Sequence, residues 1–164
     1  MAFDAFVNFG DIKGECTDKN HKDWVMITSY SQSVTQPASV TQKTAGGRSA
    51  EAAHFSEFSI EKLLDAATPK LFEACCKGTH LKEVAIELVR AGGDPVKYME
   101  IKLKEVMISG VIHHADSTGP SQFPTETVNM TYGAIEVTYT KQKPDGTAAG
   151  NVAAKWNVAQ GAAA

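Results

Sequence analysis

Cysteine is scarce in this 164-residue chain: there are three, an odd number with no regular spacing. That pattern argues against a disulfide framework and for reduced thiols in a cytoplasmic setting. No stretch comes near the roughly 20 apolar residues of a membrane-spanning helix, so membrane insertion is not expected. The opening "MAFDAFVNFGDIKGE" has an acid at Asp4 and neither a basic start nor a long apolar run, so no cleaved secretion signal is expected. A basic patch is missing too. The lysines are dispersed and the net charge is only −3, which leaves nothing to draw in nucleic acid or anionic lipid. Phosphate-binding glycine loops, nucleophile elbows and the zinc HExxH pattern are also absent, so no cofactor or resident metal is expected.

What is present is mostly alternation with period two, the mark of half-buried strands. Phe3, Ala5, Val7 and Phe9 share one face of a first strand, and "GDIKGE" turns the chain. "HKDWVMITSYSQS" reads as a second strand. "AHFSEFSIEKLL" reads as a third, with Phe58, Ile60 and Leu64 on one face, although "SIEKLLDAA" also fits a helix. "HLKEVAIELV" turns Val84, Ile86 and Leu88 inward and Glu83 and Glu87 outward. "AGGDP" reverses into "VKYMEIKLKEVMISGVIHH", far longer than the usual strand of about 5–6 residues. Met99, Ile101 and Leu103 form its apolar face, and Glu100, Lys102 and Lys104 its charged one. In its expected partner, "ETVNMTYGAIEVTYT", the apolar parity passes from Val128, Met130 and Tyr132 to Ile135, Val137 and Tyr139. A β-bulge at Gly133–Ala134 is the expected cause. "KPDG" fits a type I turn, with Pro144 at its second position and Gly146 at its fourth. A last strand, "NVAAKWNV", is expected to bury Val152, Ala154, Trp156 and Val158.

One segment departs from this pattern. "TPKLFEACCKG" predicts a helix over about 68–77: Thr68 can cap it, Pro69 suits the first position, and Gly78 suits the left-handed end. Leu71, Phe72 and Cys75 share a face at helical spacing, and Lys77 lies where a cation favours the C-terminus. The fold class expected is therefore mostly β with a single helix, its many strands at short spacing suggesting a sandwich or a barrel. Residues 1–164 suit a single domain, large enough to hide about 68–70% of the unfolded surface. The stretch from about 34 to 52 is polar and nearly free of aromatics, longer than the roughly 12–15 residues usual for irregular segments. It is expected as an extended loop, part of which can pair as a hairpin.

The chemistry-bearing residues argue for structure. In "EACCKGTH", Cys75 follows Leu71 into the core and Cys76 follows Phe72 to its edge, near a helix C-terminus where the dipole disfavours a thiolate. His80 lies beyond Gly78. These residues finish a helix. The alternative is a Cys-dependent hydrolase or thiol-redox enzyme on a β-barrel scaffold, with Cys76 and His80 as its working pair. "HHAD", residues 113–116, holds possible zinc ligands, but neighbours on a strand point to opposite faces, and a solvated strand end is the expected reading. "NMT" at Asn129 matches a glycosylation acceptor but falls within a strand. No catalytic residue is assigned.

Taken together and in order, "GDIKGE", "TPKLFEACCKGTH", "YMEIKLKEVMISGV", "ETVNMTYGAIEVTY", "KPDG" and "KWNV" resemble the Hcp family, the tube proteins of bacterial type VI secretion systems. The resemblance spans nearly the whole chain and implies a small β-barrel of two antiparallel sheets with one flanking α-helix. It implies a structural, non-enzymatic protein whose hexameric rings stack into a secreted inner tube, propelled by a contractile sheath beneath a VgrG spike and able to hold effectors in its lumen. It implies passage from the bacterial cytoplasm to the outside or into a target cell without a signal peptide. It assigns ring stacking to Lys43, Thr44, Ala45, Gly46, Gly47, Arg48 and Ser49. A polar lumen suits the face shared by Ser29, Ser31 and Ser33, because an apolar lining would trap passengers. Many relatives have an aromatic–glycine pair where this chain has Gln32 and Ser33, and the double cysteine is not part of the family pattern. The helix-end reading of the thiols predicts slow, unactivated alkylation of Cys75 and Cys76 in the native protein near neutral pH. Mass spectrometry over time measures this, and fast labelling of Cys76 with loss of an activity would favour the enzyme instead.

Overall fold

The computed structural model of the chain describes residues 3–39, 49–50, 52–90, 96–118, 123–144 and 147–164. The first half holds β1 (Phe3–Asn8), β2 (Val25–Ile27), β3 (Ser29–Ser31), β4 (Val34–Thr35), β5 (Ala38–Ser39), β6 (Ser49–Ala50), β7 (His54–Phe55) and β8 (Phe58–Leu63). The helix α1 (Thr68–Lys77) follows. Then come β9 (His80–Arg90), β10 (Lys97–His114), β11 (Thr125–Thr131), β12 (Ala134–Gln142), β13 (Ala148–Asn157) and β14 (Ala162–Ala163).

All pairings among these strands are antiparallel. Ten strands form one hydrogen-bonded sheet, beside the two-stranded ladders β4–β7 and β5–β6. The two expected layers are continuous because β10 is long enough to serve both. It pairs with β9 from Lys97 to Met107, with β12 from Met99 to Lys104, and with β11 from Met107 to His114. β11 pairs β8, and β8 pairs β3. One residue, Thr28, separates β3 from β2, and β2 pairs β1, which pairs β9. Pairing and chain continuity at Thr28 together thus lead back to β10. The expected second strand is split at Thr28 because there it changes partner: the Thr28 amide and hydroxyl both donate to the Glu61 carbonyl (2.8 and 3.1 Å).

The enclosed core is the alternating apolar set: Ala5, Val7, Phe9, Phe58, Ile60, Val84, Ile86, Leu88, Ile101, Leu103, Val128 and Met130 are all buried. Phe3, at the open start of β1, is exposed. The parity change is real and occurs in both partners at one level. On β10, inward positions pass from Ile101 and Leu103 to Val106 and Ile108. The residue between, Glu105, has φ 52, a left-handed conformation rare for a side-chain-bearing residue. Opposite it the partner breaks between β11 and β12, and the Gly133 amide donates to the Lys104 carbonyl (2.9 Å). A Cβ at Gly133 would lie 3.2 Å from that of Glu105, so glycine permits the approach. The register shift in the β10–β11 ladder falls between Ile108 and Gly110 instead of at Gly133–Ala134. The "AGGDP" reversal (91–95) and the tip of the "KPDG" turn (145–146) lie outside the described residues.

The helix runs over the expected residues. Gly78 ends it at φ 61, ψ 39, with its amide donating to the Cys75 carbonyl (3.2 Å) and the Thr79 amide to the Ala74 carbonyl (3.0 Å). Its start differs. Ala67 takes the N-cap position, and Thr68 makes no cap bond. The Thr68 hydroxyl instead donates to Glu126 Oε1 (2.7 Å) and accepts from the Asp65 amide (3.1 Å). Leu71 and Ala74 are buried, whereas Phe72, expected to share the inward face, is exposed and stacks near His113 (ring centroids 6.4 Å).

The expected third strand is interrupted between β7 and β8, and its inward row is Phe58, Ile60 and Lys62, with Leu64 exposed just past the strand end. Lys62 is fully buried because two carboxylates receive it: Glu126, also fully buried, and Asp65 (2.8 Å). The strand register that sets Glu126 opposite Lys62 also sets His113 opposite Glu126. Removing one member of a buried ion pair leaves an uncompensated charge, typically at 3–5 kcal/mol, whereas exchanging both for apolar residues is often neutral. Lys62→Met is therefore expected to cost about 3–5 kcal/mol in urea unfolding, with most of it recovered in Lys62→Met/Glu126→Leu. Equal losses in the single and double variants would refute the coupling.

Candidate assembly surfaces

The inner face of the barrel does not stop where the barrel does. Met99, Ile101 and Leu103 on β10 stand in register with Tyr139, Val137 and Ile135 on β12, and these with Val152, Ala154 and Trp156 on β13. Cover fades outward along these rows. Ile135 is buried, Val137 and Trp156 are half-buried, Ala154 is exposed, and Tyr139 and Val152 are 46% and 56% exposed. The expected burial of Val152, Ala154, Trp156 and Val158 in the last strand is thus corrected: Val152 and Ala154 are exposed, while Trp156 and Val158 are half-covered. The physical reason is position. β12 and β13 extend from β10 beyond the closed circuit, so one chain has little to lay over them. β13 pairs with β14 only at Trp156 and Asn157, which leaves residues 148–154 without a strand on their outer side among the described residues.

Two other apolar features flank this overhang. Val34 and Phe55 pair across the β4–β7 ladder, and with Ile135, Val137, Ala154 and Trp156 they line an open groove of about 400 Å³. At the far end of the β3–β8 hairpin, Met26, Leu63 and Leu64 are 54%, 45% and 42% exposed around a shallow depression that Glu15 also lines.

The other outward surfaces are polar in two styles. Ser31, Ser59, Asn129 and Gly110 stand in one row across β3, β8, β11 and β10; Ser29, Glu61, Thr127 and Ile112 stand in the next. Ser29 and Ser31 are exposed on this face of mostly small polar side chains, and the Ser29 hydroxyl donates to Glu61 (2.9 Å). Ser33 is also exposed but lies beyond the end of β3, its amide bonded to the Ser56 hydroxyl (2.8 Å). Across β9, β10, β12 and β13 the outward face is charged and internally paired: Lys97 with Glu87 and Glu100 (both 3.0 Å), Lys155 with Glu136 (3.2 Å).

Glu87 is more than part of an open charged row. His21 is buried, stacked on Phe6 (4.1 Å) with Trp24 edge-on (4.9 Å), and its ring nitrogens meet Asp18 (2.7 Å) and Glu87 (2.9 Å). This anchors the segment between β1 and β2 onto β9. The hydrogen bond from His21 holds the Asp18 carboxyl below its usual value. Burial pushes Glu87 up, but hydrogen bonds from His21 and Lys97 outweigh it and leave this carboxyl low as well. Sequence periodicity could not find His21, which sits in a polar turn. Lys62 was detectable only as a charge at an inward position of its strand.

Of the expected stacking residues, Lys43, Thr44, Ala45, Gly46, Gly47 and Arg48 lie outside the described residues. Ser49 opens β6, opposite Ser39. Within the segment from 34 to 52, β5 pairs β6, and β4 pairs β7 just beyond its end. Of the thiol candidates, Cys75 is half-buried against the core and Cys76 is exposed, while His80 begins β9. His113 and His114 point to opposite faces. His113 lies 3.2 Å from Glu126 Oε2, and His114 stands opposite Thr125. Among the described residues no group of three or more His, Cys, Asp or Glu could hold a metal.

An antiparallel circuit completed through the chain at Thr28, with one helix, two short ladders and an apolar overhang exposed among the described residues, makes a β-barrel-like protein. A family model described as "Type VI secretion system effector, Hcp" matches residues 6–139. Protein hcp1 of Pseudomonas aeruginosa is 34% identical over 162 residues, 98% of each chain. A solved structure of a type six secretion system protein superposes with TM-score 0.92 at 24% identity, covering 99% of this chain and all of that one. Hcp1 from Salmonella typhimurium gives 0.81 at 19% over the whole of both chains. A type VI secretion system effector from Yersinia pestis gives 0.76 at 26%, over 94% of this chain and all of its own. The chain belongs to the Hcp family of type VI secretion system proteins.

Because Asp18 and Glu87 have lowered pKa values when folded, their contribution is present above the ordinary carboxylate range, near 4, and is lost as pH falls below it. Stability of the native protein is expected to drop below about pH 4, with a shallower drop in Glu87→Gln. Urea midpoints across pH measure both, and identical slopes would remove Glu87 from the acid response.

Proposed function

We propose that the protein, residues 1–164 acting as one unit, is a structural tube subunit and not an enzyme. Copies pack side to side into a hexameric ring, rings stack into the secreted inner tube, and the lumen can hold effectors. The observation that carries this reading is the uncovered apolar face of β12 and β13. Tyr139 and Val152 continue the row of the half-buried Met99, and Ala154 that of the buried Ile101, yet all three are exposed among the described residues. Contiguous exposed apolar surface of this kind marks a contact site. Among the described residues the outer edge of β13 from 148 to 154 has no neighbouring strand, which leaves it open to another one. The number six comes from family membership.

The segment from 34 to 52 reaches toward the next ring, with Lys43, Thr44, Ala45, Gly46, Gly47, Arg48 and Ser49 making the stacking contact. The face carrying Ser29, Ser31 and Ser33 lines the lumen. Its neighbours Ser59, Thr127 and Asn129 support this, because short polar groups hold water and offer passengers little apolar grip. The VgrG spike and the contractile sheath are the partners at the tube's end and around it. Export by contraction carries the protein from the bacterial cytoplasm to the outside without a signal peptide. Light scattering and negative-stain imaging are expected to show rings from the purified protein. In Gly47→Asp/Arg48→Glu, rings should persist while tubes shorten or vanish. Tubes of normal length from this variant would overturn the assignment of the stacking loop, and lone monomers of unsubstituted protein would overturn self-assembly.

A further inference from the structure

The overhang and the hairpin-end patch occupy different parts of one chain. Val34 and Phe55 lie beside the overhang, at one end of the β3–β8 hairpin. Met26, Leu63 and Leu64 lie at its other end, about eight residues and roughly 26 Å of extended chain away. Two apolar surfaces so separated can both be covered by copies of this chain if each copy presents one to its predecessor and the other to its successor. That is a heterologous contact, the kind that closes into a ring when the rotation between copies permits.

Charge sets the pairing apart from its alternatives. Lys141 lies on the same face of β12 as Ile135, Val137 and Tyr139, exposed at the tip of the overhang. Glu15 is exposed on the rim of the Met26–Leu63–Leu64 depression. Neither has an ion-pair partner among the described residues. Overhang against overhang would bring Lys141 toward its own copy and leave Met26, Leu63 and Leu64 uncovered. Overhang against hairpin end covers both surfaces and sets a lysine facing a glutamate. Opposite charges at a rim fix register and suppress the wrong partner more than they add affinity.

The geometry points to a specific contact: the apolar face of β12–β13 in one copy seats on Met26, Leu63 and Leu64 of the next, with Lys141 meeting Glu15. This rests on the ring reading above and names the surfaces that make the ring.

Disulfide trapping tests it in a Cys76→Ser background, which removes the exposed native thiol. Leu63→Cys with Val152→Cys in one chain should give, after mild oxidation, a non-reducing gel ladder extending past the dimer. Each substitution alone should give monomers. Dimers from a single variant would overturn the heterologous pairing. A missing ladder while the unsubstituted protein forms rings would overturn this contact and leave the ring reading standing. Monomers of unsubstituted protein would overturn both. The charge pair gives an independent arm: Lys141→Glu or Glu15→Lys should raise the subunit concentration at which rings dissociate by about tenfold, and the two together should restore it. Failure of the double reversal to restore would overturn the pairing of Lys141 with Glu15.

Discussion

Backbone hydrogen bonding along one long strand holds this molecule together. β10 gives its first half to β9 on one side and β12 on the other, and its second half to β11. Each half belongs to a different layer, and the change of layer occurs where Glu105 enters the left-handed region and Gly133 approaches it. Without that kink the strand would keep a single inward parity, and one half of its apolar residues would face water. With it, Ile101, Leu103, Val106 and Ile108 all reach the same core. The closed circuit follows from this single accommodation.

The same strand explains why the chain looks unfinished alone. Its first half has two neighbours, but only the β9 side leads back into the circuit. On the β12 side the sheet continues outward, carrying the apolar parity of the core with it. A sheet is amphipathic along its whole width, so every strand added past the barrel's closure needs new cover. The uncovered width belongs to β12 and β13, beside the groove formed with the β4–β7 ladder. Core and exposed overhang are one continuous face, divided only by where the described residues stop covering it.

Much of this was legible in the sequence. Helix end signals placed α1 because Pro69 and Gly78 act through backbone geometry, which depends little on tertiary context. Alternation placed the strands, and the parity change near Gly133 announced the kink. Alternation could not say whether an apolar face is covered, which is why Trp156 and Val152 were expected inside. It could not place Lys62 either, since Glu126, the buried carboxylate beside it, is more than sixty positions away in the chain. His21 was hidden for the same reason: its partner Glu87 is brought to it by the fold. Ser29 and Ser31 share an outward polar face as their spacing implied, whereas Ser33 lies past the end of β3.

The buried pair between β8 and β11 has a consequence for how the chain finds its arrangement. Side chains alternate across a strand, so sliding β8 by one position against β11 turns its whole inward row to the other side. Phe58 and Ile60 would then meet water, and the carboxylate of Glu126 would be left in oil without its ammonium. Hydrophobic pairing tolerates near misses, since one aliphatic group replaces another at modest loss. An ion inside the core does not. The lysine at position 62 therefore acts as a key cut for one lock: misaligned forms of the barrel are penalised most where the correct form hides a charge.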